Sequence, residues 1–245
     1  MSVTSHRFIG ASVSLPYLLG TPNIGIKKPL PLVVFLHGAK DRGDDLSKLL
    51  AWGFPKLVKE APYLNYYWLA PQIPVDTKWP DWQNELFTLI DELVANNTID
   101  TDRIILSGFS LGSAGAWQIG SEHADRFSGL VIVSGRVPES VGEEELARLK
   151  NTAVWVFHGG RDDKVPAASA EAAVNTLKKI GAPVQYTLIP EGDHFIAEAA
   201  YGNSALQQWL VAQHRPEAKD EIQKDNSFRP KILSDLLANS SSQVL

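Results

Sequence analysis

Short apolar runs alternate with amphipathic stretches along most of this chain. Runs typical of buried strands occupy 30–36, 66–70, 103–109, 130–133, 153–157 and 184–189, and a weaker, partly alternating run occupies 13–19. Helical spacing of apolar residues occurs at 45–59, 82–96, 143–150 and 168–180, and after Ser110 a proline-free run follows. Gly53 and Pro55 interrupt the first of these helices. Strands that alternate with helices predict a doubly wound α/β fold, with a mainly parallel sheet covered on both faces.

Length and spacing favour one domain. A chain of 245 residues, 44% hydrophobic and 21% charged, suits a single domain with a sizeable core. We assign 1–215 to an α/β domain and the charged, polar stretch 216–245 to a peripheral tail, with a short helix at 231–237. The short connection between the strands at 130–133 and 153–157 leaves no room for a large cap, which predicts an open site.

Composition narrows the possible functions. A net charge of −5 without a basic cluster argues against nucleic-acid binding and favours a small-molecule substrate. The absence of cysteine excludes disulfides, thiolate metal ligands and a cysteine nucleophile. The amino terminus lacks a signal-peptide pattern, and no apolar run approaches the roughly 20 residues that span a bilayer. We therefore expect a soluble cytoplasmic protein without integral membrane association.

The strand at 103–109 runs directly into Gly108-Phe109-Ser110-Leu111-Gly112. This Gly-x-Ser-x-Gly pattern is typical of a nucleophile elbow, a sharp strand-to-helix turn that exposes the serine hydroxyl at the end of a sheet. Glycines at both ends let neighbouring backbone pass where a Cβ would collide. The pattern predicts Ser110 as a nucleophile.

A serine nucleophile needs a histidine base and a carboxylate that orients the histidine. Asp162 and Asp163 follow the strand at 153–157, and His194 follows the strand at 184–189. Both positions lie at the carboxyl ends of strands, where ligands bind in such sheets. We predict Asp162 as the acid and His194 as the base, with Asp163 as the alternative acid.

The turn after the strand at 30–36 predicts further site residues. The Leu111 amide at the start of a helix and the Ala39 amide are expected to stabilise an oxyanion, with Gly38 allowing close approach. Candidates for the substrate pocket are His37, Gly38, Trp79 and Trp82, and candidates for binding an anionic group are Arg42 and Arg136.

With these motifs together, the chain resembles the cap-less phospholipase/carboxylesterase, feruloyl-esterase-like and predicted-peptidase branch of the α/β-hydrolase superfamily. The resemblance runs from about 17 to 210. It rests on Leu36-His37-Gly38-Ala39 with Arg42-Gly43, the elbow, Phe157-His158-Gly159 with Asp162 and Val165-Pro166, Gly192 with His194, and Tyr17-Leu18-Leu19 with Pro22. It implies Ser110, Asp162 and His194 as a catalytic triad, Ala39 and Leu111 as oxyanion donors, and no metal or organic cofactor. Ser113 and Asp41 depart from the branch, which often has Gly and Glu there.

The resulting prediction is a serine carboxylesterase that acts on a small-molecule acyl ester through an acyl-enzyme. The same triad is compatible with an acyl-protein thioesterase, a lysophospholipase or a small-peptide hydrolase. A non-catalytic binding protein on the same fold is a further alternative, which an intact Ser, Asp and His set disfavours. Acyl length, alcohol and oligomeric state are left open.

Overall fold

The computed structural model describes residues 1–10, 13–22, 28–61 and 64–215. The predicted tail at 216–245, including the predicted helix at 231–237, lies outside the described residues. Within the described part, eight strands form one sheet in the spatial order β1-β2-β4-β3-β5-β6-β7-β8. The strands are β1 Ser2–Ile9, β2 Ser14–Thr21, β3 Leu30–Leu36, β4 Tyr67–Pro71, β5 Ile99–Phe109, β6 Gly129–Val133, β7 Ala153–Gly159 and β8 Val184–Ile189.

The sheet is mainly parallel, as the pattern predicts. β3 through β8 pair in parallel, whereas β1 pairs with β2 and β2 with β4 in antiparallel register. Parallel strands joined by helices carry their carboxyl ends to one edge of the sheet. The turns after β3, β5, β6 and β7 and the loop after β8 therefore lie close together.

Helices cover both faces of the sheet. They are α1 Gly53–Glu60, α2 Gln83–Asn96, α3 Leu111–Glu122, α4 Glu143–Arg148, α5 Ala167–Lys179, α6 Ala197–Tyr201 and α7 Ser204–Ala212. Side chains alternate along β3, so that Leu32 and Val34 pack under α2 to α5, while Val33 and Phe35 pack under α1, α6 and α7. Two apolar layers thus hold the sheet between the helices. The link from β6 to β7 carries only the short α4 and a single helical turn, which agrees with the expected lack of a large cap.

Two local predictions need correction. No strand is predicted at the amino terminus, yet β1 pairs along its whole length with β2. It is an edge strand in which only Phe8 is buried, so it lacks a continuous apolar run. The helix predicted at 45–59 begins only at Gly53, because Trp52 is extended and Gly53 has a φ of +68°. Pro55 lies in the first turn of α1, where its missing N–H costs no hydrogen bond.

Candidate active site

Ser110 lies at the reversal between β5 and α3 in a strained backbone conformation. Its φ is 53° and its ψ is −113°, a region that costs a non-glycine residue about 1–3 kcal/mol. A Cβ on Gly108 would lie 2.2 Å from the Gly112 carbonyl oxygen, and one on Gly112 would lie 1.8 Å from the Leu36 carbonyl oxygen. The two glycines are therefore required by close backbone approach, which the elbow pattern predicts.

Ser113, which departs from the resembled branch, ties the elbow to the neighbouring strand. Its buried hydroxyl donates to the carbonyl of Gly108 at 2.6 Å and accepts the N–H of Val133 at 2.9 Å. The backbone N–H of Ser110 also donates to the Val133 carbonyl, at 2.9 Å. The start of α3 is thereby fixed to the end of β6.

Ser110, His194 and Asp162 form a continuous hydrogen-bonded chain. Ser110 Oγ lies 2.9 Å from His194 Nε2, and His194 Nδ1 lies 2.8 Å from Asp162 Oδ2. His194 is 5% exposed, so the imidazole is shielded while Ser110 remains partly accessible. A hydroxyl, an imidazole and a carboxylate in this order allow proton removal from the serine during nucleophilic attack.

The second oxygen of Asp162 is held by backbone. Asp162 Oδ1 accepts the N–H groups of Lys164 at 2.9 Å and Val165 at 2.8 Å. Burial would raise the pKa of this carboxyl, but the hydrogen bonds from Val165, His194 and Lys164 outweigh it, and the net effect lowers the pKa. The group is held as a carboxylate, the form that accepts a hydrogen bond from His194. Asp163, the alternative acid, is exposed and lies 3.4 Å from the Lys164 ammonium.

A second buried histidine contacts the same carboxylate. His158 Nε2 donates to the Val165 carbonyl at 2.8 Å and lies 3.3 Å from Asp162 Oδ2. Its Nδ1 is buried without a hydrogen-bond partner in the part of the chain that the structure describes. In the sequence, His158 is recognisable only as part of the Phe157-His158-Gly159 motif, which predicts no role for it. Its position at the end of β7, four residues before Asp162, is the signal that indicates one.

The two predicted oxyanion donors have free backbone N–H groups. Neither the Ala39 N–H nor the Leu111 N–H donates a hydrogen bond to any residue within the described ranges. Leu111 is the first residue of α3, where the helix dipole favours negative charge. Arg42 donates through Nε to the Ala39 carbonyl and through Nη1 to the Thr77 carbonyl, both at 3.1 Å. The guanidinium of Arg42 thus stabilises the turn that carries Ala39. Because its donors bind two backbone carbonyls, they are not available to bind a substrate.

His37 is buried, and both of its ring nitrogens form hydrogen bonds with the backbone. It is fully buried, its Nδ1 donates to the Gly38 carbonyl at 2.7 Å, and its Nε2 accepts the Ile73 N–H at 3.1 Å. Burial lowers its pKa from 6.5 to about 4, so the imidazole stays neutral. Trp79 donates its indole N–H to the His37 carbonyl at 3.0 Å.

A cavity of about 470 Å³ opens beside Ser110. Its walls include the expected Trp79, and its lining is Lys78, Trp79, Pro80, Ser110, Leu111, Ala114, Gly115, Gln118, Arg136, Pro138, Glu139, Ser140 and Val165. The other pocket candidates, His37, Gly38 and Trp82, are not in this lining. Trp82 instead packs on the core face that contains α2, and Gly38 lies against Phe109.

An exposed aromatic ring, which the sequence motifs do not indicate, lies beside His194. Phe195 is 42% exposed and its ring centroid lies 5.4 Å from that of His194. The ammonium of Lys40 lies 5.0 Å from the centroid of the Phe195 ring.

Over the described residues, no group of three or more histidine or acidic side chains is arranged to hold a metal ion.

The phospholipase/carboxylesterase family model matches residues 68–203 of the chain, which contain Ser110, Asp162 and His194. The chain belongs to this family, within the α/β-hydrolase superfamily. It is accordingly a hydrolase of the esterase or thioesterase type.

Individual relatives agree with this assignment. Acyl-protein thioesterase 1 of Gibberella zeae is 24% identical over 195 residues, which cover 66% of this chain and 82% of that protein. Acyl-protein thioesterase 1 of Neurospora crassa is also 24% identical over 195 residues and is covered to 79%.

Solved structures share the fold. A thermostable esterase is 27% identical with a TM-score of 0.74, and the match covers 87% of this chain but only 63% of the esterase. A ferulic acid esterase from Anaeromyces mucronatus, solved with ferulic acid, is 15% identical with a TM-score of 0.67, covering 86% of this chain and 90% of the other. At this identity the second likeness concerns the fold alone.

Among the described helices, none is long and apolar enough to cross a membrane.

Proposed function

We propose that this protein is a serine hydrolase that cleaves carboxylic esters of small molecules through a covalent acyl-enzyme. The observation that carries the proposal is the chain of hydrogen bonds from Ser110 Oγ to His194 Nε2 at 2.9 Å and from His194 Nδ1 to Asp162 Oδ2 at 2.8 Å. The cavity beside Ser110 supplies space for the ester, and the family assignment supplies the reaction class.

In the acylation step, Ser110 Oγ attacks the carbonyl carbon while its proton passes to His194 Nε2. The imidazolium that forms keeps its Nδ1–H on Asp162, whose carboxylate stabilises the positive charge. The carbonyl oxygen becomes an oxyanion, for which the free N–H groups of Ala39 and Leu111 are the donors. When the tetrahedral intermediate collapses, the C–O bond to the alcohol breaks and His194 returns the proton to the leaving oxygen.

Water completes the cycle. His194 Nε2 removes a proton from a water molecule, which attacks the acyl-Ser110 carbonyl. The second tetrahedral intermediate collapses, the acid is released, and the proton returns to Ser110 Oγ. No further reactant is needed, because water supplies both the oxygen and the proton.

Hydrolysis of p-nitrophenyl butyrate by purified protein tests this proposal. Ser110→Ala is expected to abolish nearly all turnover, because the nucleophile is removed, with the unfolding temperature unchanged. Ser140→Ala is the matched control, since Ser140 lines the same cavity and is exposed. Equal activity of Ser110→Ala and the parent would refute the nucleophile assignment.

Thioesters are the second candidate substrate class. The support is that two relatives carry the name acyl-protein thioesterase and are covered over most of their length. The triad reacts with a thioester in the same way, with a thiolate as the leaving group. Rates for an oxygen ester and a thioester with the same acyl group discriminate between the classes, and a thioester preference above about 100-fold after correction for intrinsic reactivity, a difference of about 2.8 kcal/mol in transition-state stabilisation, favours the second.

A further inference from the structure

The cavity beside Ser110 has apolar walls and a charged rim. Trp79, Pro80, Leu111, Ala114, Pro138 and Val165 provide apolar surface near the nucleophile. Lys78, Arg136 and Glu139 are exposed charged residues of the same lining. A substrate that fills the cavity therefore meets both apolar and charged side chains.

The guanidinium of Arg136 is not neutralised by its neighbours. Glu139 belongs to the same lining and follows Arg136 by only three residues, yet no ion pair joins Arg136 to any carboxylate within the described ranges. Lys78 likewise forms no ion pair there. The other arginine that sequence analysis considered, Arg42, is engaged by two backbone carbonyls. Arg136 is thus the arginine at this cavity whose donors are available to a ligand.

Arg136 is carried by a constrained turn. Ser134 has a φ of 50° and donates its N–H to the Phe157 carbonyl at 3.0 Å. A Cβ on Gly135 would lie 2.0 Å from Ser113 Cβ, so the backbone presses on the start of α3. The N–H of Val137 donates to Ser169 Oγ at 3.3 Å. The backbone on both sides of Arg136 is therefore fixed, which reduces the entropy lost when the side chain binds a ligand.

We propose that Arg136 makes this cavity specific for anionic substrates, namely esters in which an apolar spacer separates the reacting carbonyl from a carboxylate. This inference rests on the proposed ester hydrolysis at Ser110. The planar guanidinium binds a carboxylate through two parallel N–H···O bonds, and an apolar spacer suits a lining that also contains Trp79, Leu111 and Val165. The volume of about 470 Å³ falls in the lower part of the range of about 300–1,000 Å³ typical of small-molecule sites.

Glu139 gives the proposal a second, opposite test. A carboxylate in the same lining repels an anionic substrate, and its removal should improve binding of that substrate. Lys78 adds a second positive charge on the rim. A nonspecific attraction of anions would also depend on Lys40, which lies over the Phe195 ring and is not among the residues that line the cavity.

The experiment compares p-nitrophenyl hexanoate with the p-nitrophenyl monoester of adipic acid, which has the same chain length but ends in a carboxylate. For Arg136→Gln we expect KM for the adipate ester to rise about 10-fold, as for loss of a charge-assisted hydrogen-bonded pair, with both parameters for the hexanoate within about 2-fold of the parent. Arg136→Lys should retain part of the binding, Glu139→Gln should lower KM for the adipate ester, and Lys40→Gln is the control without a KM change.

A second pair of substrates carries the carboxylate on the leaving group, namely 4-carboxyphenyl hexanoate and phenyl hexanoate. An Arg136 effect on this pair also supports the proposal and shows that the cavity holds the leaving group rather than the acyl group. The proposal is overturned if Arg136→Gln changes neither anionic substrate, or if Lys40→Gln has the same effect as Arg136→Gln.

Binding without turnover separates this proposal from the catalytic one. Monomethyl adipate and methyl hexanoate are titrated into the Ser110→Ala protein and followed by ligand-observed NMR. Preferential binding of monomethyl adipate, weakened about 10-fold by the added Arg136→Gln change, supports the anion site even if ester hydrolysis fails. Equal binding of both ligands, together with no effect of Arg136→Gln on 4-carboxyphenyl hexanoate, overturns the site while leaving the triad proposal intact.

Discussion

Asp162→Asn is expected to reverse the proton arrangement of His194 while leaving the site assembled. Asp162 Oδ1 accepts two backbone N–H groups, from Lys164 and Val165. In the asparagine variant the amide oxygen must take this position, because an NH₂ group there would face two donors. The NH₂ group then occupies the position of Oδ2, 2.8 Å from His194 Nδ1. Nδ1 must accept, so the proton moves to Nε2 and His194 cannot accept the proton of Ser110.

The size of the effect follows from this geometry. A base held in the wrong tautomer lowers kcat by about 10⁴-fold, or about 5.4 kcal/mol of transition-state stabilisation. His158 adds a structural penalty, because its Nε2 lies 3.3 Å from the position that the new NH₂ group takes, although its N–H already donates to the Val165 carbonyl. Exchanging the acceptor at this buried position for a donor costs about 1–3 kcal/mol, which should appear as a lower unfolding temperature.

Steady-state hydrolysis of p-nitrophenyl butyrate measures kcat, and circular dichroism during heating measures stability. Asp163→Asn is the matched control: it is the same chemical change one residue away, at an exposed carboxylate paired with Lys164, and should leave kcat within about 2-fold. Retention of more than a tenth of parental kcat in Asp162→Asn would refute the reasoning. A comparable loss in Asp163→Asn would refute the choice of acid.

Three further substitutions test the supporting structure. Gly115→Ala should lower the free energy of unfolding in urea by about 1–2 kcal/mol, because the new Cβ would lie 2.4 Å from Trp79 Cβ. This loss is expected even though alanine has a higher helix propensity than glycine. Unchanged stability would contradict the close packing of Gly115 on Trp79. Burial lowers the pKa of His37 from 6.5 to about 4 in the folded protein. As pH falls from 6.5 to 4, the unfolded state therefore binds a proton before the folded state does, and about 3 kcal/mol of the free energy of unfolding is lost. His37→Gln should flatten this dependence of stability on pH, and an unaltered dependence would contradict the reasoning. Arg42→Gln should lower kcat about 10-fold, because the turn that carries Ala39 loses its two hydrogen bonds to Arg42 and the proposed oxyanion contact weakens. Arg42→Lys should not restore kcat, because an ammonium lacks the forked donors that reach both carbonyls. Restored kcat in Arg42→Lys would show that the positive charge alone matters.

Periodicity predicted the central sheet because buried parallel strands are nearly continuous apolar runs. The same pattern predicted that Ser110, Asp162 and His194 lie at one edge of the sheet, because each follows a strand whose carboxyl end lies at that edge. The elbow glycines were recognisable for a local reason, because a strand that turns abruptly into a helix leaves no space for a Cβ. These parts of the site depend on chain order and local geometry, both of which are present in a single sequence.

Other features depend on contacts between distant segments. β1 was missed because only Phe8 is buried in an edge strand. The hydrogen bond between Trp79 and the His37 carbonyl joins residues separated by 42 positions, and no local pattern indicates that His37 accepts the Ile73 N–H rather than lining a pocket. The contact of His158 with Asp162 likewise depends on how the loop after β7 folds back.

Covalent labelling by a fluorophosphonate, followed by intact-protein and peptide mass spectrometry, tests the central claim most directly. The reagent phosphonylates only a serine whose proton is removed by a neighbouring base. We expect a single adduct, located on Ser110, formed by the native parent protein and absent in Ser110→Ala. An unmodified folded protein, or an adduct on another residue with Ser110 free, would contradict the assignment of Ser110 as the nucleophile.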